Sequence, residues 1–282
     1  MTPAGALRNL LVERVRARFN DRAQGEQPVP RSDDALFPPG SVAWRVHGDV
    51  TSMMVGGIAA LLVEMLHPLA LGGVWDHSNV AADMAGRLRR TARFIALTTF
   101  GQRDAAEAAI VRVRSIHAQV RGTLPDGTPY RADDPALLAW IHVAGALCFL
   151  DSWRRYGEPS MSLADQDRYF AEAGVIARAL GADPVPQTRA AAERLIGEFR
   201  PVLRSDERTV AFRKLVLEAP AASLAEMPLQ KLMMTAAVDL MPDWARAMHG
   251  IRPVVIGQPA IRAATLGLAG TLRWAFAGPP VR

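Results

Sequence analysis

The sequence predicts an all-α protein of about eight to ten helices. Three observations carry this prediction. Apolar residues recur at spacings of three and four through most of the chain, the period of a helix buried on one face. Prolines and glycines punctuate these runs at helix-length intervals. The apolar–polar alternation of a half-buried strand is weak throughout.

The elements follow in order. Residues 4–19 form an amphipathic helix, and residues 20–40, rich in Pro, Asp and Gln, form an extended arm. Together they make an N-terminal unit, 1–40, ahead of a helical domain, 41–282. Residues 41–49 (SVAWRVHGD) are a short approach. An apolar helix runs from about 51 to 66, with Pro68 as its stop. LGGVWDHSN, 71–79, reads as a loop. A helix over 79–99 ends at Gly101, and the next spans 103–119 with Asp104 near its start. TLPDGTPYRADDP is a long connection with a turn at Pro125-Asp126-Gly127. Asp134 followed by Pro135 starts a helix that runs to Tyr156. Ser162 and Asp165 are spaced as a capping pair for a helix ending near Gly181. Further helices fit 187–200, 205–217, 228–249 and 258–276.

Composition narrows the function. The chain has 282 residues, half of them hydrophobic, enough for a substantial core. The net charge is +5, and Lys214 and Lys231 are the only lysines. The arginines are spread along the chain and aromatics make up 6%, which argues against a nucleic-acid partner. Arginine forks suit carboxylates and phosphates. The one cysteine, Cys148, lies in the apolar run ALCFL, so no disulfide within the chain and no cysteine metal cluster is possible. A buried inert thiol and a reducing cytoplasm fit it. Arg8, Glu13, Arg14 and Arg16 leave no apolar signal core at the N-terminus. The longest apolar stretch, 53–71, contains Glu64, His67 and Pro68, so it reads as a buried helix and not a membrane span. The apolar segment 254–280 could cover a pocket, pair subunits in a homo-oligomer or touch a membrane surface peripherally.

Histidine is scarce and therefore informative. His117 shares a helical face with Val113, Ile116 and Val120, and Arg114 and Arg121 flank it. A core histidine satisfied by its neighbours and an axial metal ligand both fit this setting; an iron porphyrin needs one neutral imidazole on an apolar wall and cations for its propionates. Glu64 and His67 have the Glu-x-x-His spacing of di-iron bundles, but a second copy is missing, so a buried acid and a histidine tied to each other is the simpler reading. His142 sits in a nearly all-apolar helix, where it is a core residue that could line a pocket. His77, in the 71–79 segment, is a candidate hydrogen-bonding or gating residue. In GRLRRTARFIALTTFG, 86–101, Arg87, Arg90 and Thr91 share one helical face, and Asp83 is placed to pair with Arg87.

GRLRRTARFIALTTFG followed by RSIHAQVRG resembles the core of the MpaB oxygenase and latex clearing protein (rubber oxygenase) family. GGIAALLVEMLHPLALGGVWDHS, DGTPYRADDPALLAWIHVA and RYFAEAGVIARALGA fit the same family. The likeness covers roughly residues 40–200. It implies a globin-like helical domain holding haem b, with His117 as the proximal iron ligand. It also places Arg87, Arg90 and Thr91 on the distal side, where rubber-cleaving members carry Arg-x-x-Lys-Thr. Arg90 departs from that pattern, because a guanidinium does not give up its proton. It can still hydrogen-bond dioxygen or a substrate oxygen.

The reaction so implied is oxidative cleavage of a carbon–carbon double bond in an apolar, olefinic or isoprenoid substrate by dioxygen. Glu64 would serve as a base if it faces the cofactor, and Arg114 and Arg121 would hold the propionates. A haem-binding sensor or carrier without turnover is the alternative from another class. A haem-free helical protein that binds a partner is the third.

Overall fold

A computed structural model describes residues 2–20, 25–80, 82–221, 223–252 and 257–277. Among them are thirteen α-helices and one two-stranded sheet. The first six helices are α1 (Pro3–Phe19), α2 (Val42–His47), α3 (Val50–Glu64), α4 (Pro68–His77), α5 (Met84–Phe100) and α6 (Arg103–His117). A hairpin of β1 (Arg121–Thr123) and β2 (Pro129–Arg131) follows. Then come α7 (Pro135–Tyr156), α8 (Leu163–Leu180), α9 (Arg189–Phe199) and α10 (Glu207–Leu217). The chain ends with α11 (Met227–Leu240), α12 (Asp243–Met248) and α13 (Gln258–Phe276).

The all-α class stands, and three helices account for the larger count. Ser41 caps a short helix, α2, in the approach segment by accepting from the Trp44 amide at 3.3 Å. Pro68 starts a helix instead of stopping one. The chain bends by 104° between α3 and α4, and Pro68 then occupies the first turn of α4, where a missing N–H costs nothing. The expected loop at 71–79 is mostly the body of that helix, and His77 is its last residue. Gly72 lets it sit close to the hairpin: a Cβ would lie 2.6 Å from Leu124 Cδ2, so that side chain would have to shift. Pro242 divides the expected 228–249 helix into α11 and α12.

Other ends match their signals. Asp134 accepts from the Leu137 amide at 2.9 Å ahead of Pro135. Ser162 accepts from the Asp165 amide at 3.0 Å, while the Asp165 carboxylate binds Arg45 at 2.7 Å instead of completing a capping box. Gly181 ends α8 at φ +102°, a left-handed conformation that favours glycine. The Asp126-Gly127 turn closes an antiparallel hairpin that pairs Gly122 with Tyr130.

The centre of the fold is the α3–α7 pair. Gly56 lets the two approach: a Cβ there would stand 3.0 Å from the Cys148 carbonyl oxygen and the Phe149 Cα. Trp140, Leu62, Tyr156 and Phe212 are fully buried around this pair. α11 and α13 pack on α3, and α8 and α9 pack on α7. α7 is long and apolar enough to cross a membrane, but most of it is enclosed by the other helices. α5 and α6 pack on each other and lean on α2 and α8, yet neither packs closely on α3 or α7. The candidate site lies where these two helix pairs stand apart.

Candidate functional site

Glu64 is the last residue of α3, just before the sharp bend. Its backbone is held from α7, because Trp140 Nε1 donates to the Glu64 carbonyl at 2.9 Å. Its side chain lies over Gly145, where a Cβ would come 3.1 Å from Oε1. Protein surrounds this carboxyl, while the residue as a whole is half-buried. Burial pushes the carboxyl up from 4.5 to about 7, and the charge on Arg87 pulls it part of the way back. Glu64 is therefore a carboxyl able to hold or release a proton near neutrality.

Arg87 comes from the first turns of α5 and points into the protein. It donates to Ser78 Oγ at 3.1 Å. Desolvation lowers its affinity for its proton, the charge on Glu64 raises it, and the nearby Arg90 lowers it. The same guanidinium acts on His117, the last residue of α6. The His117 ring is kept toward its neutral form, first by burial; Asp133 opposes this and Arg87 assists it. Its Nδ1 is buried with no hydrogen-bond partner. Arg87 is thus the shared neighbour of an acid from α3 and an imidazole from α6.

The structure does not bring every expected residue here. Arg90 turns back to the start of α5 and pairs with Asp83 at 3.2 Å, leaving its side chain 67% exposed. Asp83, which also caps the Gly86 amide at 2.8 Å, pairs with Arg90 and not with Arg87 as the spacing suggested. Thr91 is exposed. Three residues can share a helical face while only one edge of that face turns inwards. Arg114 is exposed. Arg121 is not on the helix of His117: α6 ends first, and Arg121 opens β1 with its Nε donating to the Ala118 carbonyl at 3.2 Å. The apolar stripe beside His117 is partly open, with Ile116 51% exposed.

The remaining histidines separate. His142 on α7 is driven down to about 4 by burial, and its Nε2 is buried without a partner. His67 does not bond to Glu64 through its side chain; it packs against Trp140 and Phe199, with ring centres 6.0 Å away in each case. The helix ends between the two residues, so their i, i+3 spacing does not place them on one face. His77 meets the Tyr130 hydroxyl at 3.1 Å, and that hydroxyl donates to Asp76 at 2.8 Å. His249 contacts the Leu62 carbonyl at 2.8 Å.

Sequence reasoning missed His47, which is fixed between Thr99 Oγ1 at 2.8 Å and the Tyr169 hydroxyl at 2.9 Å. It also missed the two glycines against Phe149: a Cβ at Gly57 would stand 3.5 Å from Cε1, and one at Gly145 3.9 Å from Cε2. No motif marked them. The only available signal was glycine inside two otherwise strong helices, which indicates a close approach.

Burial holds His47 and His67 neutral, each down at about 4. Below pH 6.5 the unfolded chain takes up protons that these folded rings refuse. Their stabilisation is present above that pH and is lost as pH falls toward 4, by up to about 3 kcal/mol for each ring and less for the half-buried His47. Glu64 acts oppositely, because its raised value means that stability is lost as pH rises from 4.5 through 7. Denaturant titrations should therefore show stability falling steeply from pH 6 to 4. His67→Phe should flatten that slope; an unchanged slope would refute the assignment.

The family described as "ER-bound oxygenase mpaB/B'/Rubber oxygenase, catalytic domain" matches residues 44–274. That span includes Glu64, Arg87 and His117, and the chain belongs to this family. No curated protein and no solved structure matches it.

Proposed function

We propose that this member of an oxygenase family is a haem b-dependent enzyme that cleaves a carbon–carbon double bond in an apolar substrate. The observation that carries the reading is the grouping of Glu64, Arg87 and His117 where α5 and α6 stand away from α3 and α7. The residues fit the cofactor. His117 presents an imidazole kept toward neutrality, with a buried ring nitrogen that no protein group satisfies. Among the described residues no three His, Cys, Asp or Glu side chains gather to hold a bare metal ion. A single imidazole suits a metal that brings its own macrocycle. His117 would hold the iron, and Arg114 and Arg121, three residues before it and four after it, would meet the propionates.

When bound, haem would supply the capacity to bind and activate dioxygen. The chain's own groups do the rest. Arg87 places a fixed positive charge in a poorly solvated interior, where it stabilises negative charge developing on oxygen. Glu64, poised near neutrality, takes a proton from the carbon next to the double bond and can return it. The apolar walls of α3 and α7 exclude water and accept a hydrocarbon. Both atoms of dioxygen end in the two carbonyl products, so the overall reaction needs no external reductant.

The test begins with a visible absorption spectrum of the purified protein, then with added haem, dithionite and carbon monoxide. A Soret band that shifts at each step supports the reading, and the absence of stoichiometric uptake refutes it. With the haem protein in hand, Arg87→Ala should lower oxygen consumption on an olefinic substrate by about 10²–10³-fold. Arg90→Ala, which removes an exposed ion pair, should change it by no more than a few-fold. The reverse ranking would place Arg90 at the reacting atoms.

A further inference from the structure

Asp76, His77 and Ser78 close α4, and their side chains reach two other parts of the fold. Asp76 and His77 hold Tyr130 of β2: its hydroxyl donates to Asp76 at 2.8 Å and meets His77 Nε2 at 3.1 Å. A hydroxyl has one proton, and Asp76 receives it, so His77 Nε2 is the donor to the oxygen. The next residue, Ser78, donates to the Val74 carbonyl at 2.6 Å and accepts from Arg87 at 3.1 Å. Arg208 of α10 binds Asp76 at 3.2 Å and ties this turn to the body of the protein.

Two glycines make room for the buried Tyr130 ring. A Cβ at Gly122, its partner across the hairpin, would clash with the hydroxyl oxygen, and one at Gly72 of α4 would stand 3.1 Å from Cε1. The hairpin in turn is joined to His117. The Val120 amide donates to the His117 carbonyl at 3.1 Å, and the Ala132 amide, just past β2, donates to the Val120 carbonyl at 3.0 Å. Asp133 follows directly, and its charge acts on the His117 ring.

We propose that the end of α4 is a bracket that fixes the separation of Arg87 and His117, with Tyr130 and Ser78 as positioning residues for the reaction. The chain joins α5 to α6 at Gly101-Gln102, the end opposite to Arg87 and His117. Helix ends fray unless something ties them. Here the tie runs from Arg87 through Ser78, along the last turn of α4, and through Tyr130 to the hairpin and the His117 carbonyl. Arg87 keeps one direction because Ser78 accepts from it, and His117 keeps one place because Tyr130 pins the strand beyond it. Misplacement by about 1 Å costs a reaction on the order of 10²-fold, so such a tie has a functional consequence. The effect on turnover rests on the proposed function; the bracket itself does not.

The test compares the full chain with Tyr130→Phe and Ser78→Ala, each of which removes one hydroxyl and keeps nearly all packing. In the haem-free protein, amide hydrogen exchange in Tyr130→Phe should quicken about tenfold at both ends of the tie, the first turns of α5 and residues 117–123. With haem added, each variant should lower kcat about tenfold while KM changes little. Each should also shift the infrared stretch of bound carbon monoxide, which senses the nearby charge of Arg87. Faster exchange confined to the hairpin overturns the proposal, and so do an unchanged kcat and carbon monoxide stretch in both variants. A lower melting temperature with those readings unchanged marks a merely structural contact and overturns it as well. If Tyr130→Phe does not fold, Ser78→Ala, which loses only a half-buried hydroxyl, carries the same readings. Failure of the unaltered protein to take up haem would refute the proposed function, and the exchange result alone would then decide the bracket.

Discussion

Replacing His117 by alanine should give a folded protein that takes up no haem. His117 ends α6 in a half-buried position, and its Nδ1 makes no hydrogen bond that the fold would lose. Truncation there should cost about 1 kcal/mol or less, the range of a substitution that removes no core packing. The effect on the cofactor should be of another order, because in the proposed complex His117 would hold the iron, and its loss would remove both affinity and the spectral signature of imidazole ligation. Circular dichroism should be unchanged while the Soret titration loses its stoichiometric end point. Free imidazole added to the variant should partly restore the spectrum by occupying the space left behind. His142→Ala is the decisive companion. His142, like His67 and His249, also has a buried ring nitrogen without a partner, and it is the one carried by α7. If His142→Ala lost haem and His117→Ala kept a normal spectrum, the iron ligand would lie on α7, and the assignment to α6 would be wrong.

The sequence revealed elements whose ends carry their own chemistry. Asp134-Pro135, Ser162 and Gly181 each solve a local hydrogen-bonding or conformational problem, and the structure uses each where the sequence puts it. Pro68 was ambiguous because proline is excluded from a helix interior yet suited to a first turn. Which role it plays depends on the 104° bend that carries α4 against the hairpin. The site divided in the same way. Family likeness and helical spacing point to Arg87 and His117 as candidates, and the structure adds that the charge of Arg87 acts on both His117 and Glu64. Spacing could not foresee that Arg90 would turn back to Asp83, since that choice is a competition between an exposed carboxylate at the helix start and the interior. Nor could spacing show that α3 ends between Glu64 and His67, which sends the two side chains to different neighbours.

The largest loss of stability should come from Trp140→Ala, and the same position links the core to the site. The indole is fully enclosed, packs edge-on against Phe199 with ring centres 5.3 Å apart, and donates its only N–H to the Glu64 carbonyl at 2.9 Å. Truncation to alanine removes the packing, leaves a cavity and takes one of two donors from the Glu64 carbonyl, which keeps the His67 amide at 3.2 Å. Losses of about 3–5 kcal/mol follow from the cavity, and about 0.5–1.5 more from the lost hydrogen bond. Against the total stability of an ordinary domain, about 5–15 kcal/mol, that leaves a marginal fold. Trp140→Phe separates the two effects. It keeps most of the volume and removes one of the carbonyl's two donors, so denaturant titration should show a smaller loss, about 0.5–1.5 kcal/mol. Because the missing bond anchors the residue that carries the candidate base, Trp140→Phe should also lower turnover while leaving haem uptake intact. A Trp140→Phe protein with full activity would show that Glu64 is positioned by its contact with Gly145 on α7 and not through its backbone.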